Sequence, residues 1–312
     1  MSGLSVRIRR SPWLWSYLAV VAAFIAMTVI SHRLSLTGLT VNLGLAGFLV
    51  VAGLGQMFAI TGGGGGIDLS VPSVLTIAAM VDTALTRGAS GSAVEGMAAA
   101  LVVGLAVGAL NGGLIVGLRL PPIVATLSTG FVLESFIQLY YAQAESGAPN
   151  PAFANAVRGD VLGLPTMLWL AVGATLIVGW VLQSTLYGRH LEAAGQNETA
   201  ATLTHIHVDR VRFISYVISA GMAAVTGILL SAYAGGAFLD MGSSYQLGSI
   251  AAVVLGGSLI AGGKSTAAGV FGGAVLLTFL VTLMATTGLT VGLRDVLEGA
   301  IIILVLALGR TS

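Results

Sequence analysis

The sequence contains no cysteine and very few charged residues. Its 312 residues include 13 Lys or Arg and 12 Asp or Glu, together 8% of the chain, whereas soluble proteins carry about 25%. The absence of cysteine excludes disulfides and thiolate chemistry. Because so few charges cannot solvate a chain that is 56% hydrophobic, lipid is expected to cover most of its surface.

Several function classes are excluded by what is missing. The net charge is only +1 and no basic patch occurs, which argues against nucleic-acid binding. Four scattered histidines do not form a metal-ligating cluster, so we expect neither a metal site nor a catalytic group. The segment Gly262-Gly263-Lys264-Ser265 lacks the glycine spacing and the preceding strand of a phosphate-binding loop. If the protein uses ATP, another subunit must bind it.

Long apolar runs recur along the chain, and a membrane-spanning helix needs about 20 mostly apolar residues. The first run follows three arginines and is too long for a typical signal peptide, so we interpret it as a retained span. The eighth run is short and could be re-entrant instead of complete. The sequence therefore predicts an all-α polytopic membrane protein with about ten spans, at Trp13–Ile30, Thr40–Ile60, about Leu69–Leu85, Ala93–Leu118, Ile123–Tyr141, Thr166–Leu186, Ile214–Ala234, Leu247–Ala261, Ala267–Thr286 and Leu293–Leu308.

The orientation follows from basic residues in short loops, which favour the cytoplasmic side. This predicts an N-in/C-in protein with the polar stretch 187–213 in the cytoplasm and the loop 142–165 outside. The inner side then carries Arg7, Arg9, Arg10, Arg119, Arg189, Arg210, Arg212, Lys264 and Arg310, and the outer side Arg33, Arg87, Arg158 and Arg294.

The stretch 187–213 is the one long polar passage with charges of both signs. Its middle, Leu191–Leu203, is rich in Ala and Glu and predicts one or two short helices, interrupted at Gly195 and Asn197, which can act as cap or turn residues. It is too polar to cross a bilayer. We expect a partner protein to bind it.

Glycine patterns indicate close helix packing. The 44 glycines recur at four-residue spacing, as in Gly104, Gly108 and Gly112, and lipid supplies no hydrophobic force for helix association. Such helices pack tightly on one another or on a second copy. A weak repeat is also visible, because Ile67–Ser70 and Tyr245–Gly248 each precede an apolar run, and in transporters the substrate path lies where two such halves meet.

Asp68 follows a run of five glycines at the end of a broken span. A charged group there either lines a water-filled cavity or caps the next helix, a role open to Ser70 as well. Asp82 lies about one turn from Arg87, and the spacing favours an ion pair between them.

Other polar residues lie within predicted spans. Glu134 in the fifth and Glu298 in the tenth are functional candidates or members of structural pairs. Asn111 and Gln246, like Gln56, could hydrogen-bond a polar solute or bridge helices. The resulting candidates for a substrate path are Asp68, Ser70, Asn111, Glu134 and Gln246.

Three motifs resemble those of the membrane permease subunits of bacterial ABC sugar importers of the ribose, xylose and arabinose type. The similarity covers nearly the whole chain, with the motifs in the family's order. They are Gly66–Val71 with Ser73, similar to GIDLSVGS; Gly188-Arg189 with Ala194-Gly195, Asn197-Glu198 and Ala200-Ala201; and Leu247 with Ile250–Gly257 and Gly262-Gly263-Lys264.

The resemblance implies a single permease domain over residues 1–312 in the bacterial inner membrane. It implies a second permease copy, identical or different, a periplasmic sugar-binding protein, and an ABC ATPase subunit that holds ATP and Mg. The family's coupling segment corresponds to residues 192–206, which implies ATPase coupling by Glu192, Gly195, Asn197, Ala200 and Ala201.

Four departures from the family pattern leave the solute open. Pro72 and His205 replace usual glycines, Glu134 stands where arginine is frequent, and the glycine run before Ile67 is longer than typical. The main hypothesis is import of a ribose-like sugar or polyol. Alternatives are a nucleoside, a branched-chain amino acid or a signalling furanose, then a stand-alone secondary transporter, and last a membrane-embedded enzyme.

Overall fold

The computed structural model describes residues 14–31, 35–88, 93–141, 147–290, 292–294, 296–297, 299–300 and 303. This part of the chain is helical except for loops and one two-stranded hairpin, β1 (Asp160–Val161) with β2 (Leu164–Pro165). The helices are α1 (Leu14–Ser31), α2 (Leu36–Thr61), α3 (Val71–Thr86), α4 (Ala93–Gly117), α5 (Pro122–Tyr141), α6 (Pro151–Arg158), α7 (Thr166–Ser184), α8 (Leu186–Gln196), α9 (Glu198–Leu203), α10 (Val208–Ala234), α11 (Tyr245–Leu255) and α12 (Ala267–Thr286).

Six of the described helices are long and apolar enough to cross a membrane: α2, α4, α5, α7, α10 and α12. The shorter apolar helices are α1, α3 and α11. The run at 293–308 lies largely outside the described residues. The all-α polytopic character is thus confirmed, whereas the count of about ten spans and the N-in/C-in orientation stay predictions.

Helix α2 lies at the centre of the molecule and packs against α7, α10, α11 and α12. Leu54, Met57 and Ile60 on α2 are completely buried among side chains of these helices. Helix α10 packs most extensively against α4 and also against α3. Together, α2 and α10 form the buried pair around which the other helices are arranged.

The predicted glycine packing is confirmed where α4 meets α10. A side chain at Gly104 would overlap Ala224, one at Gly108 would meet the carbonyl of Tyr216, and one at Gly112 would meet Phe213. The absence of Cβ atoms lets the two backbones approach closely, which supplies the van der Waals contact that lipid-exposed helices need.

Three segments differ from the predicted boundaries. Helix α10 begins at Val208, six residues before the apolar run, so the end of the polar stretch is its first turns. Helix α11 ends at Leu255, because the following Gly256-Gly257 pair turns the chain, with Gly257 at φ +82°. The loop predicted at 142–165 contains α6 and the hairpin, whose turn residues Leu162 and Gly163 both have positive φ, as a type I′ turn requires.

The hypothesised ion pair between Asp82 and Arg87 is wrong. Arg87 is the left-handed C-cap of α3, and its Nε atom donates to the Ala84 carbonyl. The buried Asp82 carboxylate instead accepts from the hydroxyls of Thr86 (3.4 Å) and Ser231 (3.5 Å). The left-handed cap turns the arginine away from the helix face that carries Asp82.

Candidate functional site

Two breaks in the helical framework lie next to each other. The first, residues 62–70, separates α2 from α3 and holds three successive glycines, Gly63, Gly64 and Gly65, at φ +70°, +64° and +73°. The second, residues 256–266, separates α11 from α12 and holds Gly262 and Gly263, each at φ +95°. L-residues rarely adopt such φ values, so glycine is the residue type suited to both breaks.

A glycine junction, formed by Gly63, Gly195, Gly262 and Gly263, joins both breaks to α8. The N–H of Gly263 donates to the Thr61 carbonyl at 2.9 Å. A Cβ built on Gly195 would overlap this carbonyl and the Gly263 nitrogen, and one on Gly63 would lie 2.8 Å from the Cα of Gly195. Backbone therefore packs directly on backbone, with no space for a side chain.

A polar cleft of about 270 Å³ lies where α5 faces the first turns of α3 and the segment that leads into α11. That segment is held to α3 by a hydrogen bond from the Gly242 N–H to the Thr76 hydroxyl (3.1 Å). The cleft is lined by Leu69, Pro72, Ser73, Thr76, Leu127, Gly130, Phe131, Glu134, Ile137, Gln138, Leu239, Asp240, Ser243 and Gln246.

The chemistry of the polar cleft combines carboxylates and amides with one aromatic ring. Glu134 and Asp240 can accept hydrogen bonds, whereas Gln138 and Gln246 can both donate and accept. Phe131 offers an apolar face. Among the described residues the lining contains no Lys or Arg, so the arrangement suits a neutral solute with several hydroxyl groups better than an anion.

Asp68 forms a buried network instead of lining the cleft. Its Oδ1 atom accepts from the Ser70 N–H (3.0 Å) and hydroxyl (2.6 Å), and its Oδ2 atom accepts from the Ser219 hydroxyl (2.7 Å). The Asn111 Nδ2 atom donates to the Ser70 hydroxyl at 2.9 Å. In the orientation that satisfies its amide, Gln56 bonds both the carbonyl and the N–H of Asp68. This Asp68 network ties together α2, α3, α4 and α10.

The five candidate path residues therefore divide into two groups. Asp68, Ser70 and Asn111 meet in the Asp68 network and are at most 2% exposed, whereas Glu134 and Gln246 line the polar cleft. Ser70 is the N-cap residue of α3 but makes no side-chain capping bond. The Asp68 carboxylate bonds the Ser70 N–H just before the helix, which is close to the capping role considered from the sequence.

Residues 192–206 correspond to the family's coupling segment and keep that name here; they form the end of α8, all of α9 and the turn that follows. The predicted short helices are present, but Gly195 lies inside α8 and only Asn197 separates the two helices. Asn197 ends α8 and caps α9, where its side chain accepts from the Ala200 N–H at 3.0 Å. Ala201 is buried with Ala194 and Val208 beneath the segment, while Ala200 faces outward. Of the residues that the family resemblance implies for coupling, Ala201 therefore packs inside the segment, whereas Ala200 lies on its surface.

Glu192 lies on α8 near Lys264, which belongs to the second helix break. Partial burial raises the pKa of the Glu192 carboxyl above its usual value, while the Lys264 charge acts in the opposite direction. The outer surface of residues 192–206 is polar except at Ala200 and Leu203, and Leu203 is 77% exposed. Leu203 is the large apolar side chain that this surface presents.

Some site residues were missed from the sequence. Asp240 and Ser243 lie in a loop where polar residues are ordinary, and nothing distinguished them. Ser219 lies within an apolar run, and only its contact with Asp68 reveals its role. His205 has a positive φ of +63°, a conformation that glycine, the residue that the family resemblance implies at this position, adopts more readily.

A comparison with known protein families decides the affiliation. A model described as "branched-chain amino acid transport system / permease component" matches residues 14–306. The chain belongs to this permease family. With its six long apolar helices, it is a multi-pass membrane protein.

Individual relatives are import permeases. The chain is 33% identical over 248 residues to the ribose import permease protein RbsC of Escherichia coli K12, which covers 77% of this chain and 75% of that protein. It is 33% identical over 207 residues to the autoinducer 2 import system permease protein LsrC of Klebsiella pneumoniae, covering 66% and 60%. A probable ABC transporter permease protein of Sinorhizobium fredii is 33% identical over 249 residues, covering 80% and 74%. The resemblance to sugar importer permeases drawn from the three motifs is confirmed.

Proposed function

We propose that this permease forms the translocation path of an ATP-driven ABC importer for a ribose-like sugar or polyol. The observation that carries the proposal is the polar cleft, whose carboxylates and amides are able to bind hydroxyl groups. In this proposal the protein crosses the bacterial inner membrane about ten times, N-in/C-in, beside a second permease copy. A periplasmic binding protein delivers the solute, and a separate ATPase subunit binds ATP and Mg.

The depth of the polar cleft supports this role. Helices α3 and α11 contain 16 and 11 residues, so at 1.5 Å per residue they extend about 24 and 16 Å. Both are shorter than the hydrocarbon core of about 30 Å, so neither crosses it alone, and we infer that their first residues lie within the bilayer. Broken helices that begin at this depth supply the substrate sites of many transporters.

Helix α5 supports a water-filled path or a second copy beside the cleft. Glu134 is exposed near the middle of this otherwise apolar helix, on the same side as Gln138. A carboxylate that faced lipid would cost several kcal/mol. We infer that this face of α5 borders the path that the two permease copies enclose.

The lining of the cleft also discriminates between solutes. The charged groups of the described lining are Glu134 and Asp240, which suit the ammonium group of a branched-chain amino acid but offer its carboxylate no cationic partner. A sugar, a polyol or a signalling furanose presents hydroxyl groups, and these can donate hydrogen bonds to the carboxylates of Glu134 and Asp240. The furanose is the second candidate, because one relative is named as an autoinducer 2 import permease.

The coupling segment is the proposed ATPase dock. Most of its residues from Gln196 to His205 are exposed and polar, and the glycine junction connects it to both helix breaks. When the ATPase subunits close on ATP, a displacement of α8 moves the two breaks together. This displacement shifts the permease between outward- and inward-facing states.

The test is affinity purification of the tagged protein from detergent-solubilised native membranes, followed by mass spectrometry. We expect an ATPase subunit and a periplasmic binding protein to copurify, and proteoliposomes of the set to import ribose or a furanose with ATP. If the chain repeatedly purifies alone and imports solute with an ion gradient, the secondary transporter is correct. Import of leucine with ATP would reject the assignment of a sugar as solute but would leave the ATP-driven importer function in place.

A matched pair of variants tests the dock. Leu203→Asp places a charge on the outer surface of the segment, and we expect about tenfold weaker ATPase binding. Leu162→Asp changes a leucine that is 88% exposed at the hairpin tip, and we expect no change. Equal ATPase binding by both variants would contradict a dock at Leu203.

A further inference from the structure

Arg212 on the first turns of α10 contacts two elements of the proposed cycle, α9 and the first helix break. Its Nη2 atom donates to Glu198 Oε2 on α9 at 2.7 Å, and its Nε atom donates to the Gly62 carbonyl at 3.2 Å. Gly62 is the C-cap of α2, where the first helix break begins. The guanidinium therefore joins the coupling segment to this break by two directional hydrogen bonds.

The arginine also lies over the left-handed glycines. A Cβ built on Gly64 would come within 2.9 Å of the Arg212 Nη2 atom, so the guanidinium lies against the backbone of the first break. The Arg212 side chain is only 15% exposed. Partial burial strengthens a charge pair relative to one in full contact with water.

A second ion pair nearby provides a comparison. Arg119 and Asp209 form two hydrogen bonds of 3.1 and 2.9 Å, but their side chains are 69% and 44% exposed. Asp209, like Arg212, lies in the first turns of α10. Among the hydrogen bonds of the described residues, none joins this pair to α8, α9 or the glycine run, although Arg119 borders a cavity together with Gly63, Gly64 and Arg212. It therefore shares the charge chemistry of the Arg212 pair, in which Glu198 is 51% exposed, without its two hydrogen-bonded connections.

We propose that Arg212 is a positioning residue that transmits the displacement of α9 to the break between α2 and α3. The proposal rests on the proposed ABC importer function. Glu198 carries the displacement from the docking surface, and the Gly62 carbonyl receives it at the end of α2. Lysine cannot replace arginine here, because an ammonium group lacks the planar fork that holds two acceptors in fixed directions.

The test uses wild-type and variant permeases in proteoliposomes with their ATPase and binding protein. Arg212→Lys and Glu198→Gln should each lower the solute imported per ATP hydrolysed by about tenfold, the effect expected from one lost charge-assisted hydrogen bond. For Arg212→Lys, whose side chain lies behind the docking surface, the binding affinity for the ATPase and the thermal midpoint should stay unchanged. The double variant should be no worse than either single variant, as expected for residues that act as one unit.

Arg119→Lys and Asp209→Asn are the matched controls, and both should keep the wild-type ratio of solute to ATP. The proposal is overturned if the Arg212 and Glu198 variants keep that ratio, if they lose only ATPase affinity, or if the control variants lose as much. These comparisons require that the wild-type permease itself imports solute in proportion to the ATP hydrolysed. A wild type that does not couple at all would instead reject the importer function itself.

Discussion

The glycine junction and the polar cleft are built in opposite ways. At the glycine junction, Gly195 and Gly263 bring backbone against the Thr61 carbonyl, and no side chain fits between them. In the polar cleft, side chains such as Glu134 and Gln246 surround a space of about 270 Å³. The first region fixes the relative positions of elements, and the second leaves room for a solute.

This difference separates two kinds of sensitivity to mutation. Where backbone packs on backbone, stability depends on the volume of each residue, so almost any added side-chain atom is expected to destabilise the fold. A region lined by side chains depends on chemistry, so an isosteric change alters what it binds more than how stably it folds. Substitutions in both regions test whether the contrast holds.

The largest effect is expected at the glycine junction. Gly195→Ala introduces a Cβ that overlaps the Thr61 carbonyl, and we expect a loss of about 3 kcal/mol of stability and nearly all ATP-driven import. Gly113→Ala is the control, because a Cβ there meets no atom within 4 Å and alanine favours helix. Thermal unfolding in detergent and import in proteoliposomes measure both variants. If the Gly195→Ala and Gly113→Ala variants were equally stable, the glycine junction would not be limited by the volume of its residues.

A smaller effect is expected in the Asp68 network, which is buried like the junction but built from side chains. Asp68→Asn keeps the shape of the side chain and loses charge-assisted hydrogen bonds to Ser70 and Ser219. We expect a loss of about 2 kcal/mol of stability. The protein that folds should import solute at the wild-type rate per molecule. Normal folding with reduced import would place Asp68 in the path instead.

Most helix positions could be predicted because the length of each apolar run can be counted directly in the sequence. Ala267–Thr286 was predicted at the bounds it has, and α4 differs by one residue at its end. The start of α10 was missed because hydropathy detects the apolar part of a helix, and Asp209 and Arg212 continue the helix into a polar region.

The candidate sites could be predicted only in part. The polarity of residues 187–213 and the glycines before Asp68 are local signals, and they predicted the short helices α8 and α9 and the first break. Which polar residues meet is decided by the packing of α10 against α3 and α4, which precede it by more than 90 residues. For this reason the bond from Asn111 to Ser70 could not be predicted and Asp240 was not considered, while the role of Asn111 in the path stays a prediction.

The polar cleft should respond to chemistry without a change of stability. Glu134→Gln removes one carboxylate acceptor from the lining, and we expect import to fall about tenfold while the free energy of unfolding changes by less than about 0.5 kcal/mol. Ser135→Ala, on the next residue of α5, should change neither. Import rates at several solute concentrations and thermal unfolding give both quantities. If Glu134→Gln destabilised the protein as much as Asp68→Asn, the side chains of the polar cleft would stabilise the fold in the same way as the Asp68 network.

The smallest effect is expected at His205, at the edge of the coupling segment. Its φ of +63° strains an L-residue, whereas glycine adopts this conformation at little cost, so His205→Gly should raise stability. The greater freedom of glycine in the unfolded chain offsets part of the gain, which leaves about 0.5 kcal/mol. His205→Ala keeps the strain and removes the imidazole, so it should match the wild type. The difference between these two variants in thermal unfolding isolates the backbone contribution. A Gly variant no more stable than the Ala variant would mean that strain at this turn is relieved elsewhere, and that side chains as well as glycines can form the backbone turns of the coupling segment at no cost.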